Sequence, residues 1–133
     1  MILITGASSG IGRSCAEVFA EQKKNLFLVA RRLDRLKELE KELQGKHSIK
    51  VEIAQLDVTD RKAVEAFGQE HAALLSQVDV LVNNAGLAKG REPIQSGNPD
   101  DWEVMIDTNI KGLLYITHQV LPHFLKKKSG SIS

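Results

Sequence analysis

Apolar residues along this chain fall into short unbroken runs that alternate with longer stretches where they recur every three or four positions, the rhythm of strand–helix–strand units around a parallel sheet. Met1–Thr5 reads as the first strand, and Ile11, Cys15, Val18 and Phe19 as the apolar stripe of the helix after it. Leu26–Ala30 is apolar without alternation, as a strand covered on both faces is. Leu36, Leu39 and Leu43 mark a second helix whose charges Lys37, Glu38, Glu40, Lys41 and Glu42 form its solvated face. Ile49, Val51 and Ile53 alternate with polar neighbours and predict a third strand nearer the sheet edge; Ala63, Phe67, Leu74 and Leu75 predict a third helix, and Val78–Val82 a fourth strand. Asn98-Pro99-Asp100-Asp101 is a helix start, with an N-cap residue, proline in the first turn and two carboxylates at the positive end of the dipole. Helical pattern then runs to about Lys128, with Gly112 as a candidate joint and Pro122 expected to kink or break the helix.

Composition narrows the classes this architecture can serve. The 133 residues are 42% hydrophobic and 26% charged, ordinary for one folded domain and far from the signature of disorder. Eighteen Lys and Arg against seventeen Asp and Glu leave a net charge of +1, so no global field draws the chain to nucleic acid or to an anionic membrane. Lys126-Lys127-Lys128 reads as cations favoured at a helix carboxyl end. The single cysteine, Cys15, cannot form an internal disulfide and is read as a buried, inert thiol in a reducing compartment. No apolar run approaches the ~18 residues of a membrane span, and Met1-Ile2-Leu3-Ile4 is too short for a signal-peptide core, so a cytoplasmic location is expected. His47, His71, His118 and His123 show no metal-ligand spacing, and no metal is expected. Ser8 and Ser9 lack the context of a hydrolase nucleophile.

The chemistry-bearing segment is Thr5-Gly6-Ala7-Ser8-Ser9-Gly10-Ile11-Gly12, between the first strand and first helix, where an open α/β sheet places a phosphate-binding turn. Gly6 permits a sharp exit from the strand, Gly10 leaves room for a pyrophosphate against backbone N–H groups, and Gly12 lets the helix pack closely on the sheet. Ser8 and Ser9 add hydroxyl donors. The G-x-x-x-G-x-G spacing is not the common dinucleotide fingerprint, and by itself the loop is equally compatible with a plain glycine turn.

The spelling TGASSGIG resembles the cofactor loop of classical short-chain dehydrogenases, and three further segments fall in that family's order. Asp57-Val58, after the third strand, resembles the family's adenine contact. Asn83-Asn84-Ala85-Gly86, after the fourth, resembles the N-N-A-G signature that steadies the sheet and lines the ribose and nicotinamide side. Asn109 resembles the catalytic asparagine, which in the family holds a water of the proton relay, often through a helix irregularity. The resemblance implies an α/β, Rossmann-type doubly wound parallel sheet forming one dinucleotide-binding domain over residues 1–133. Arg31 and Arg32, ending the second strand where NAD-specific relatives carry an acid, suit a ribose 2′-phosphate, so the expected cofactor is NADP(H).

By the same resemblance the intact protein is expected to be an NADP-dependent oxidoreductase that interconverts a secondary alcohol and a ketone. Stretches 83–89 and 101–117 look most like the branch acting on serine, allo-threonine and other 3-hydroxy acids; a steroid, sugar or xenobiotic carbonyl and a non-catalytic NADP(H)-binding module or scaffold stay open. A small carbonyl or hydroxyl compound is the expected partner, with homo-oligomeric assembly of the intact protein. The family's Y-x-x-x-K pair has no counterpart here, because the only tyrosine is Tyr115 and the residue four later is Gln119. Ser129–Ser133 looks like the start of a fifth strand, before the family's catalytic serine. The chain therefore reads as an amino-terminal part, inactive alone, whose fourth strand lacks a full neighbour and whose open side favours association.

Overall fold

The computed structural model describes residues 1–8, 10–86 and 93–133. In chain order its elements are β1 (Ile2–Thr5), α1 (Gly10–Glu21), β2 (Leu26–Ala30), α2 (Leu33–Lys46), β3 (Val51–Gln55), α3 (Arg61–Glu70), α4 (Ala72–Leu75), β4 (Val80–Val82), α5 (Pro99–Ile106), α6 (Gly112–Lys127) and β5 (Ser131–Ile132). A 3-10 turn at Ile94–Ser96 precedes α5, and a π turn at Asp107–Lys111 joins α5 to α6. The strands form one all-parallel sheet in the order β3-β2-β1-β4-β5.

Pleating divides the core in two. Ile2, Ile4, Leu26 and Leu28 pack with Ala16 and Ala20 of α1 and Leu36, Leu39 and Leu43 of α2. Leu3, Phe27 and Val29 point the other way, onto Val64 and Phe67 of α3 and Ile116, Val120 and Phe124 of α6. Each fully buried side chain of this size contributes about 1.5–3 kcal/mol. Helices on both faces are the reason β1 and β2 carry no polar alternation, while β3, at the sheet edge, exposes Glu52 and Gln55. The strand order reverses between β1 and β4, opening a crevice beyond their carboxyl ends.

Several elements depart from the sequence expectation. Helix α1 buries Gly12, Ala16 and Ala20, and leaves Ile11 73% and Val18 51% exposed. Small side chains bring this helix against β1 and β2, which rotates the bulkier stripe outward and leaves Cys15 only half-buried. The third helix is two helices, since His71 leaves helical geometry (φ −106, ψ 21) with its ring 5.0 Å from Phe67 and 5.4 Å from Phe27. Strand β4 begins at Val80, two residues later than expected. Pro122 does not break α6, which continues to Lys127. Pro122, which has no N–H to give the His118 carbonyl, and His118 itself are both exposed residues on the outer side of α6. The Asn98 cap is as expected, its side chain accepting from the Asp100 N–H at 2.9 Å, and Gly112 does mark a joint, directly after the π turn.

Candidate active site

The carboxyl ends of β1 and β4 are stitched through one buried hydroxyl. Thr5 Oγ1 accepts from the backbone N–H groups of Asn84 and Ala85, both at 3.0 Å, and donates to the Val82 carbonyl at 3.4 Å. The Asn84 side-chain amide donates to the Gly6 carbonyl at 3.2 Å. Gly6 has φ +63, and a Cβ there would stand 2.9 Å from the Ala85 backbone, so the turn requires glycine for both conformation and closeness. Gly10 has φ +58 with nothing within 4 Å of an added Cβ, while a Cβ on Gly12 would overlap the Gly6 carbonyl oxygen.

Beyond these strand ends lies a cleft of about 440 Å³ lined by Gly6, Ser8, Val29, Ala30, Arg31, Arg32, Arg35, Leu56, Asp57, Val58, Thr59, Asn84, Ala85, Gly86 and Thr108. Asp57 is set by Thr59, whose hydroxyl and N–H donate to Oδ1 at 2.6 and 3.0 Å. That hydroxyl, above all, holds the Asp57 carboxyl below its ordinary range, with a lesser contribution from the positive charge of Arg31. A depressed carboxylate stabilises the fold above its unfolded pKa, and the contribution is lost as pH falls through the folded value. Thr59→Val is therefore expected to move the Asp57 titration upward, toward the ordinary carboxylate range, read by carboxyl NMR against pH. An unchanged midpoint would remove Thr59 from this role.

The cationic wall follows β2. The Gln55 amide holds the Arg31 carbonyl at 3.0 Å, and Arg32 Nε and Nη2 donate to Asp34 Oδ1 and Oδ2 at 3.4 and 3.1 Å. On the opposite side, the π turn carries Thr108 into the cleft lining and sets Asn109 next to Gly86, where a Cβ would lie 2.8 Å from Asn109 Oδ1. Gly112 seats the start of α6 on Val58, whose Cγ2 would be 2.6 Å from a Cβ at that glycine.

Of the residues singled out in the sequence, Gly6, Ser8, Arg31, Arg32, Asp57, Val58, Asn84, Ala85 and Gly86 line one cleft. Gly10, Ile11 and Gly12 lie behind it: Gly10 and Ile11 border an apolar groove along α1 with Cys15, Val18 and Phe19, and Gly12 supports the turn. Asn83 ties the end of β4 to α6 instead of lining the cleft, its amide donating to Thr117 Oγ1 at 3.2 Å. Asn109 borders Gly86 without lining the cleft itself. Ser9 lies outside the described residues, as does the end of the 83–89 stretch, including Lys89. Sequence reasoning gave no role to the side chains of Thr5, Arg35, Thr59 and Thr108. Only Thr59 left a signal, as the hydroxyl two residues after an aspartate in an Asx turn.

This donor set suits an extended dinucleotide. Along the sheet edge, in strand order, come a carboxylate with an apolar neighbour (Asp57, Val58), three guanidinium groups, the Gly6 turn, and the Asn84–Gly86 loop with Thr108. Those groups match, in sequence, an adenine, a ribose phosphate, a pyrophosphate and a second nucleoside.

The family model for short chain dehydrogenases matches residues 1–132. Sulfoacetaldehyde reductase 2 of Chromohalobacter salexigens is 46% identical over 131 residues, covering 98% of this chain and 51% of that protein. The NADP-dependent 3-hydroxy acid dehydrogenase YdfG of Escherichia coli K12 is 42% identical over 132 residues, covering 99% of this chain and 52% of that protein. Among solved structures, the closed form of serine dehydrogenase complexed with NADP+ superposes with a TM-score of 0.87 at 43% identity, covering 98% of this chain and 51% of that one. The chain thus spans about half the length of the curated relatives it matches.

Proposed function

The chain belongs to the short-chain dehydrogenase family, and from that premise we propose that it is the nucleotide-binding part of an NADP(H)-dependent oxidoreductase interconverting a secondary alcohol and a ketone. The observation that carries this reading is the order of groups along the sheet edge, from Asp57 through the arginines and the Gly6 turn to Asn84–Gly86. Asp57 takes the adenine amine, Arg31 faces the 2′-phosphate, and the Gly6–Gly12 turn receives the pyrophosphate. Hydride chemistry is what the dinucleotide supplies when bound. Asn84 and Ala85, fixed by Thr5, hold with Gly86 the wall on which the reacting end rests, and Asn109 on the π turn orients a water for proton traffic.

The substrate class is a 3-hydroxy acid such as serine or allo-threonine, supported by the 3-hydroxy acid and serine dehydrogenases among the relatives. The exposed apolar side chains Ile106, Ile110, Leu113 and Leu114 on α5, the π turn and α6 support homo-oligomeric assembly of the intact protein. Among the described residues, no helix is long and apolar enough to cross a membrane.

The test is NADP+ reduction by the intact protein with serine, allo-threonine and other 3-hydroxy acids, set against neutral secondary alcohols. Faster turnover of the acids, with NADP+ preferred to NAD+, is the expected result. Preference for the neutral alcohols would refute the substrate class, and preference for NAD+ would refute the cofactor assignment.

A further inference from the structure

Resting on the NADP(H) reading above, we infer that Arg35 is the second guanidinium of the 2′-phosphate clamp beside Arg31, and that Asp34 sets cofactor specificity by drawing Arg32 away from it. Three arginines line the same cleft, but they are not equivalent. Arg32, the residue preceding α2, has its guanidinium turned back onto Asp34 through two nitrogens and both carboxylate oxygens. Each partner holds the other in its charged form: that hydrogen bond is the largest influence raising Arg32 and lowering Asp34. Neither Arg31 nor Arg35 is in an ion pair among the described residues.

The position of Arg35 is itself informative. It stands in the first turn of α2, where the helix dipole disfavours a cation, so its charge gains nothing from the helix it belongs to. An anion in the cleft reverses that sign and gives the guanidinium a planar, charge-assisted partner. Arg32 also lines the cleft, but with Nε and Nη2 held by Asp34 it can bring its full fork to the anion only by giving up that pair. The pair lies in open solvent, with Arg32 57% and Asp34 64% exposed, so Asp34 tunes affinity and does not forbid it.

The test titrates NADPH and NADH against the intact protein and its Arg31→Ala, Arg32→Ala, Arg35→Ala, Asp34→Asn and Arg32→Ala/Asp34→Asn variants, with NADH binding as the check that each is folded. Arg31→Ala and Arg35→Ala should each weaken NADPH by roughly 10- to 100-fold, the effect of losing a hydrogen bond to a charged group. NADH should change by no more than about twofold, and Arg32→Ala should cost NADPH about threefold or less. Asp34→Asn should tighten NADPH by about two- to fivefold, a gain that vanishes in the double variant. A loss in Arg32→Ala equal to that in Arg35→Ala, no loss in Arg35→Ala, or no gain in Asp34→Asn would overturn the inference. Those outcomes leave the preference of the unaltered protein for NADPH intact, whereas equal affinity of that protein for NADPH and NADH would mean the cofactor reading itself had failed.

Discussion

A polypeptide of residues 1–133, supplied with NADPH and a good carbonyl substrate, is expected to show no turnover. Carbonyl reduction leaves a developing alkoxide that must receive a proton, and a positioned general acid contributes about 10²- to 10⁴-fold. The only tyrosine, Tyr115, is not among the cleft-lining residues. It borders a separate groove between α3 and α6 with Val64, Leu114, His118 and Gln119. Lys111, two residues from Asn109, is tied to Asp107 at 2.9 Å, and that hydrogen bond chiefly raises its pKa, which makes it a poorer acid. Ser8 and Thr108 bring hydroxyls to the cleft, but an unassisted aliphatic hydroxyl is too weak an acid for the task. The measurement is NADPH consumption by polypeptide whose mass has been verified and which is free of longer chains. Turnover in that material would require another proton donor, with the Ser8 and Thr108 hydroxyls the first to replace.

Central elements were legible because their environment is extreme. Strands β1 and β2 are covered on both faces, so an unbroken apolar run has no other comfortable place in a soluble fold. The Asn98 cap was legible because its chemistry is local. The α1 face was misread for the opposite reason: periodicity weighs Ile11 and Val18 above Ala16 and Ala20, whereas the closeness of α1 to the sheet selects the small residues. Asp57, Arg31 and Asn84–Gly86 could be expected at the cleft because strand ends are where such sheets open a crevice. Thr5 could not, since its partners arrive from 79 and 80 residues away. Arg35 was hidden by the charges around it in α2, where a solvated helix face and a ligand wall read alike. The ion pair that separates Arg32 from its neighbours is visible only once side chains are placed.

Gly12→Ala and Gly45→Ala, two identical changes within helices, are expected to move stability in opposite directions. In α2, Gly45 has nothing within 4 Å of an added Cβ, so alanine there restricts the unfolded chain and improves helix propensity for a gain of about 0.5–1 kcal/mol. In α1, Gly12 gains the same propensity, but its methyl would overlap the Gly6 carbonyl oxygen and stand 2.5 Å from Asn84 Nδ2. The Gly6 backbone, the Asn84 side-chain amide and the hydrogen bond between them occupy that space. The methyl can be accommodated only by lifting α1 from β1 or by opening the turn, because a carbonyl in a tight turn cannot step aside as a flexible side chain does. Overpacking of this kind costs about 1–3 kcal/mol, and the upper part of the range applies where backbone is the obstacle. The same displacement pulls Gly6 away from the loop that Thr5 holds, so NADPH affinity should fall together with stability in Gly12→Ala and stay unchanged in Gly45→Ala. Urea unfolding and NADPH titration of both variants in the intact protein check this. If Gly12→Ala is stabilised like Gly45→Ala, α1 does not rest on the turn as closely as the structure has it, and the cradle for the pyrophosphate has to be rebuilt without that contact.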